Sequence, residues 1–331
     1  SLYKAEAFDF SLAAALLEVS DPAYDKVAFE QILDIKQGDS HEGLLAMLGA
    51  VNDPALDIDA VVEAYFDKEN LLTWLAMNGI LGNGDCVTQG YLLYKPLLSQ
   101  KWYFIPGNMS GAMPAGGDDN VAAVMQSGLS MFYGNLLYER FLSKEANERA
   151  LEAKIDELMR RFTPGYIAGI TRQYRPVLQA FLFVNPDQGT LKRGGAHILQ
   201  RVAQYHACLE ANVRAFKQNR AAPRKVELLE PLRQEGGFLL SWTPSRQLGG
   251  GTLAYTLEVA ADPGFTAMLH TQELAGTQAL VTGLPAGWFY YRVWATDEKG
   301  GRAGCVNISK SADDSLLYGA AAAYNLSCAY S

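Results

Sequence analysis

One acid in a glycine-bounded loop, followed by two short extended runs, is the part of this chain best suited to chemistry. The stretch Asn83-Gly-Asp-Cys-Val-Thr-Gln-Gly-Tyr-Leu-Leu-Tyr-Lys95 closes a helix, passes through Asp85 and enters a strand. Lys101-Trp-Tyr-Phe-Ile-Pro-Gly-Asn-Met-Ser-Gly111 reads as a second strand of a two-stranded ribbon, ending in a Pro-Gly turn. Phosphoryl transfer uses a carboxylate on a rigid loop to accept a hydroxyl proton, and further carboxylates to hold Mg²⁺ against the phosphates. Asp85 can fill the first role. Where the second acid would stand, the chain has Asn108 and Ser110. An amide offers a neutral carbonyl and a hydroxyl offers no charge, so neither replaces a carboxylate for a hard cation. The plainer reading of Asp85 is a turn cap in a Gly-Asn-Gly-Asp loop. Asp118-Asp119 is the nearest pair that could substitute as metal ligands. Its plainer reading is a solvated pair opening a helix, where the dipole favours anions.

These residues resemble the spore coat protein H (CotH) kinase-like family. The similarity is carried by Ala76-Met-Asn78, Asn83, Asp85, Tyr91-Leu-Leu-Tyr94, Trp102-Tyr-Phe-Ile-Pro106 and Gly111. It reaches back to Leu2-Tyr-Lys4 and on, more weakly, to about Phe216. The resemblance implies that Asp85 holds the catalytic-base position. It also implies three losses: the family's Asn five residues after the base is Gly90, and the two acids of its turn are Asn108 and Ser110. The Trp before those acids is Gly107. What the family implies is ATP-dependent phosphorylation of a protein partner with Mg²⁺ or Mn²⁺; what these residues allow is binding at most, with no cofactor expected. An active atypical kinase built on Asp85 is the alternative. The resemblance further implies a bacterial protein of the cell envelope or exterior, with a glycine-rich small lobe expected before residue 1.

The chain has 331 residues, 49% of them hydrophobic and 19% charged, with a net charge of −8. That length favours two domains, and the composition is that of a globular protein. An acidic total argues against broad nucleic-acid or anionic-membrane binding, which needs clustered Lys and Arg. No apolar run reaches the roughly 18 residues of a membrane span. Lys192-Arg193 and the Arg220 to Lys225 stretch are short, and read as complements to helix termini or an interdomain joint. Cys86, Cys208, Cys305 and Cys328 lack CxxC spacing, which speaks against structural zinc. Cys305 and Cys328 are the one pairing considered; the plainer reading is four free thiols. His41, His197, His206 and His270 lack metal-ligand spacing, the glycine clusters match no phosphate loop, and no nucleophile elbow is present.

Helical spacing predicts helices over Phe10 to Val19, Val27 to Ile35, His41 to Val51, from Asp57, and over Lys68 to Leu81. Beyond the ribbon, Met113 to Asp119 reads as a loop. Val121 to Leu142, Ser143 to Arg161 and Gly194 to Asn219 read as long helices, with a break at Thr163-Pro-Gly165. At Arg220-Ala-Ala-Pro223 the period changes to alternation. Strands are expected at Val226 to Leu228, Gly237 to Trp242, Ala254 to Val259, Ala279 to Val281 and Phe289 to Ala295.

This second block resembles a fibronectin type III domain over about 90 residues. The marks are Trp242, Tyr255, and Leu284-Pro-Ala-Gly287 leading to Arg292-Val-Trp-Ala295. Phe289 stands at the family's corner tyrosine, so the corner hydrogen bond would be lost unless Tyr290 takes it over. Alternation puts Phe289, Tyr291 and Val293 on one face, and Trp288, Tyr290, Arg292 and Trp294 on the other. The second face is too aromatic for solvent alone. It is expected to dock on the helical domain, to lie under the apolar tail Leu316 to Tyr330, or to bind a protein partner or a surface polysaccharide. The expected architecture is therefore α+β and multidomain. A mainly helical kinase-like large lobe over 1–221 precedes an all-β immunoglobulin-like sandwich over 222–312 and a tail over 313–331. The functional expectation is a degenerate, pseudokinase-like binding module; an adhesion or polysaccharide-associated protein is the rival from another class.

Overall fold

The computed structural model describes residues 1–109, 112, 126–181, 204–234, 236–248 and 251–325, without the side chains of 178, 179 and 181. The chain divides into two units, Ser1–Gly117 with Gly134–Lys217, and Asp118–Tyr133 with Gln218–Ser331.

The first unit is built on an antiparallel sheet of β1 (Leu2–Ala5), β2 (Leu33–Gln37), β3 (Tyr91–Tyr94) and β4 (Tyr103–Pro106), in the order β2-β1-β3-β4. The expected ribbon is thus the outer half of a four-stranded sheet. Around it stand α1 (Lys26–Glu30), α2 (Glu42–Asn52), α3 (Ile58–Tyr65), α4 (Lys68–Leu81), α5 (Leu136–Leu142), α6 (Glu145–Arg161), α7 (Pro164–Phe181) and α8 (Tyr205–Gln218). The carboxylates of Asp25, Asp57 and Asp67 accept first-turn N–H groups of α1, α3 and α4, satisfying donors that a helix start leaves open. Gly82, at φ 62°, closes α4 in the left-handed region.

Several expected helices are corrected. Phe10 to Val19 forms turns: Phe10 has φ 63°, which no right-handed helix accommodates, while its ring is fully buried. Val27 to Ile35 splits, because Leu33–Gln37 pairs with β1. In the described part of Val121 to Leu142, a 3₁₀ turn at Gly128–Phe132 precedes α5, and Gly134 at φ 99° separates them. The expected break at Thr163-Pro-Gly165 is instead the start of α7, a helix that the spacing did not predict. Its Pro164 occupies the first turn, where a missing N–H costs nothing.

The second unit holds β5 (Leu232–Gln234), β6 (Gly237–Ser241), β7 (Leu253–Ala260), β8 (Met268–Leu274), β9 (Gln278–Thr282), β10 (Gly287–Asp297), β11 (Arg302–Ala303), β12 (Ile308–Lys310), β13 (Leu316–Tyr318) and β14 (Ala321–Asn325). One sheet has the order β5-β6-β9; the other has β11-β10-β7-β8, with β14 also pairing β10. Both are antiparallel and share one core, in which Phe238, Leu240 and Val281 meet Trp242, Tyr255, Leu257, Val259, Phe289, Tyr291 and Val293. The alternation along β10 falls as expected, with Phe289, Tyr291 and Val293 inward. The residues from 313 on supply β13 and β14, so the described part of the tail is sheet. Cys305 is a free, buried thiol that donates to the Val293 carbonyl; Cys328, the partner considered for it, lies outside the described residues. Cys86 and Cys208 are also free and buried.

Candidate functional site

Asp85 sits half-buried in a 3₁₀ turn, Gly84–Val87, between α4 and β3. The turn is held from beneath by side chains that reach backbone carbonyls. Tyr138 Oη donates to the Cys86 carbonyl at 3.3 Å, and Asn135 Nδ2 donates to that of Val87 at 2.7 Å. Trp74 Nε1 in turn donates to Tyr138 Oη at 2.9 Å. Phe8 N donates to the Thr88 carbonyl at 2.8 Å. On the α4 side, Asn83 N bonds the Asn78 carbonyl, Asn83 Nδ2 bonds Asn78 Oδ1 at 2.7 Å, and Asn78 Nδ2 bonds the Trp74 carbonyl at 2.8 Å. A turn with so many satisfied groups has little freedom, which is what a base position requires. Burial pushes the Cys86 thiol up, with the neighbouring Asp85 charge adding to it, so this cysteine is no ready thiolate. Burial likewise raises Tyr91 and Tyr138 well above the ordinary phenol value, leaving both as neutral hydrogen-bonding groups.

The sequence reading stressed Asp85 but missed Asn135 and Tyr138, which lie about 50 residues further on and fix its turn. Their signal was weak: Asn135 also caps α5 through a bond to Tyr138 N, and a capping Asn is unremarkable by type.

Gly90 joins the Asp85 turn to the far turn. Its carbonyl accepts from both Gly107 N (2.9 Å) and Asn108 N (3.0 Å), and its φ is +81°. A Cβ at position 90 would stand 2.8 Å from the Asn108 carbonyl oxygen and 4.0 Å from that of Asp85. The backbones of Asp85, Gly90 and Asn108 are therefore brought together, with Asn108 itself exposed. Ser110, Asp118 and Asp119 lie outside the described residues. Asn83 is fully buried; its Oδ1 accepts no hydrogen bond among the described residues. Around the turn, the described candidates for a cation are thus one carboxylate, Asp85, and neutral amides. Among the described residues no group of three or more His, Cys, Asp or Glu side chains stands together as a metal cluster. The described residues alone thus offer one carboxylate where a divalent metal held against phosphates prefers several.

His41 takes the bland role of a core ring. It stacks on Phe29 with centroids 4.2 Å apart, and its Nδ1 and Nε2 face the Tyr3 and Tyr24 hydroxyls. Burial holds its imidazole below the usual value and carries the Tyr3 phenol up to about 12.

The outward face of β10 is divided. Tyr290 is buried under Leu317 and Ala320, and β14 pairs along Gly287 to Tyr291, so the tail does fold back onto this strand. Tyr290 Oη accepts from Ala312 N, whereas Tyr291 Oη donates to a backbone carbonyl, that of Leu229, at 3.2 Å. Arg292 Nε pairs with Glu258 at 2.5 Å, while the guanidiniums of Arg292 and Arg302 stand 5.3 Å and 4.1 Å from the centre of the Trp294 ring. Trp288 remains 44% exposed, edge-on to Tyr324 at 5.4 Å. Among the described residues no helix is long and apolar enough to cross a membrane.

The family model described as CotH kinase protein matches residues 1–221. No match was found among curated proteins.

Proposed function

Since the chain belongs to the CotH kinase family, we propose that it is a degenerate member, a pseudokinase-like protein whose family domain binds a partner at the bacterial envelope or exterior without transferring phosphate. The observation that carries this reading is the turn at Gly90. Its positive φ and the approach of the Asn108 carbonyl leave no room for a side chain there. A side chain at position 90 would have to displace that carbonyl, which supports the absence of a ligand there beside the residue type itself. With Asn108 in place of an acid, the attraction that would hold Mg²⁺ is largely gone. The second unit reads as a fibronectin type III-like binding domain, a reading supported by its two antiparallel sheets on one core.

The rigid seat of Asp85 favours one alternative, an active kinase with metal ligands drawn from Ser110, Asp118 or Asp119. The half-exposed Trp288 and Tyr324 favour another, a protein that only adheres to a surface polysaccharide. A thermal-shift screen of the full chain with ATP, alone and with Mg²⁺ or Mn²⁺, separates them. The proposal expects no metal-dependent stabilisation. A metal-dependent shift that Asp85→Asn abolishes supports the active kinase, and a shift with oligosaccharides but not nucleotides supports adhesion.

A further inference from the structure

Among the described residues of this acidic chain, a cavity is lined by two arginines and a lysine. It lies within the second unit, has a volume of about 320 Å³, and brings Arg224, Lys225 and Arg246 together with Gln126 and Thr243. Glu227 is the acid on its wall. The short stretch Arg220 to Lys225, which the sequence suggests is a helix-end or joint complement, therefore contributes two of the three cationic residues that line it.

The backbone here is pinned on both sides. Arg224 N donates to the Arg246 carbonyl at 2.9 Å, and Ser245 Oγ donates to the Arg224 carbonyl at 2.5 Å. The Gln126 amide grips Lys225 twice, accepting from its N and donating to its carbonyl, each at 3.0 Å. Val226 N then bonds the Gly304 carbonyl, and Val306 N the Val226 carbonyl. Arg224 Nη1 donates to the Tyr133 carbonyl at 3.2 Å, which orients its guanidinium. The cations are thus presented by fixed backbone, the condition under which a site gains affinity by preorganisation. Burial also lowers the Lys225 ammonium below its usual value, and an anion in the cavity would favour its charged form.

We propose that this cavity binds a small molecule bearing a phosphoryl group. Arginine side chains suit a tetrahedral oxyanion because one guanidinium carries several donors and can serve more than one acceptor, and a Lys adds a compact point charge. The volume exceeds that of one phosphate ion and leaves room for a small polar body, to which Thr243 and Glu227 offer hydroxyl and carboxylate partners. Among the described residues, the lining contains no aromatic ring on which a nucleobase would stack, which favours a phosphorylated sugar or polyol over a nucleotide.

The test uses the full chain in low-salt buffer, with isothermal titration of inorganic phosphate, glycerol phosphate and, as the carboxylate arm, citrate. The expected result is saturable binding of both phosphates, weakened about tenfold by Arg246→Gln, the loss of one charge-assisted hydrogen bond. Arg246 is exposed, so this variant is expected to keep the wild-type melting temperature. Lys225→Met provides a second variant with the same expected direction. Absence of saturable phosphate binding overturns the proposal. So does binding that Arg246→Gln leaves unchanged, or equal binding of citrate and phosphate, which would mark a general ionic effect.

Discussion

Gly90→Ala tests whether backbone geometry, rather than the loss of a ligand, fixes the residue beside Asp85. A non-glycine residue at φ +81° is strained by roughly 1–2 kcal/mol. The new Cβ would lie 2.8 Å from the Asn108 carbonyl, so that carbonyl must move. Moving it loosens the two bonds that Gly107 N and Asn108 N make to Gly90, each worth about 1 kcal/mol net. The sum is about 2–4 kcal/mol of lost stability, since strain relief and bond loss overlap. Urea unfolding of the full chain, followed by far-ultraviolet circular dichroism, reads it as a lower midpoint at unchanged slope. Gly84→Ala is the control within the same turn: its φ is not positive and nothing lies within 4 Å of its Cβ. Gly90→Asn, the family's residue, meets the same carbonyl but tolerates the left-handed region better, and should fall between the two. If Gly90→Ala stays within about 0.5 kcal/mol of wild type, while Gly84→Ala costs as much or more, the reasoning about this turn is refuted.

Tyr138→Phe removes the hydroxyl that links Trp74 to the Asp85 turn and should cost about 1–3 kcal/mol in the same unfolding assay; an unchanged midpoint would show the turn to be held by other groups. His41 folds as the neutral ring, its pKa lowered by burial, so its share of stability is complete above roughly pH 6.5 and is lost as pH falls through the lower folded value. Melting temperatures on acidification should therefore fall more steeply for wild type than for His41→Phe, and parallel curves would contradict this. On β10, Tyr290→Ala should destabilise more than Trp288→Ala, by about 2 kcal/mol, because only the first ring is buried; equal losses would mean that the cover over Tyr290 is not formed. Asn108→Asp with Ser110→Asp should create Mg²⁺ binding, measured by titration calorimetry, that wild type lacks; micromolar Mg²⁺ affinity in wild type would remove the case for degeneracy.

What the sequence made legible were features whose signal is local. The Asp67 cap, the apolar run and Gly82 mark α4 from end to end, and alternation assigns the inward face of β10. The Asp85 turn was legible because type and spacing suffice there. What stayed hidden depends on distant partners. Leu33 to Gln37 looks helical until β1 is there to pair with it, and Phe10 leaves the helix pattern because burial of its ring outweighs backbone strain. Asn135 and Tyr138 act on a turn about 50 residues away, a relation no periodicity encodes. Gly90 read as a missing ligand, and only the Asn108 carbonyl beside it reveals a backbone requirement. The cationic cavity was similarly invisible: Gln126 and Arg246 come from opposite sides of the Arg224-Lys225 pair in sequence.

The most direct test of the central claim is transfer of the γ-phosphate of radiolabelled ATP to the protein itself and to a generic acceptor such as casein, with Mg²⁺ and with Mn²⁺. The account predicts incorporation no greater than that of Asp85→Asn under both metals. Incorporation that depends on metal and disappears in Asp85→Asn would contradict it, and would make the chain an active kinase.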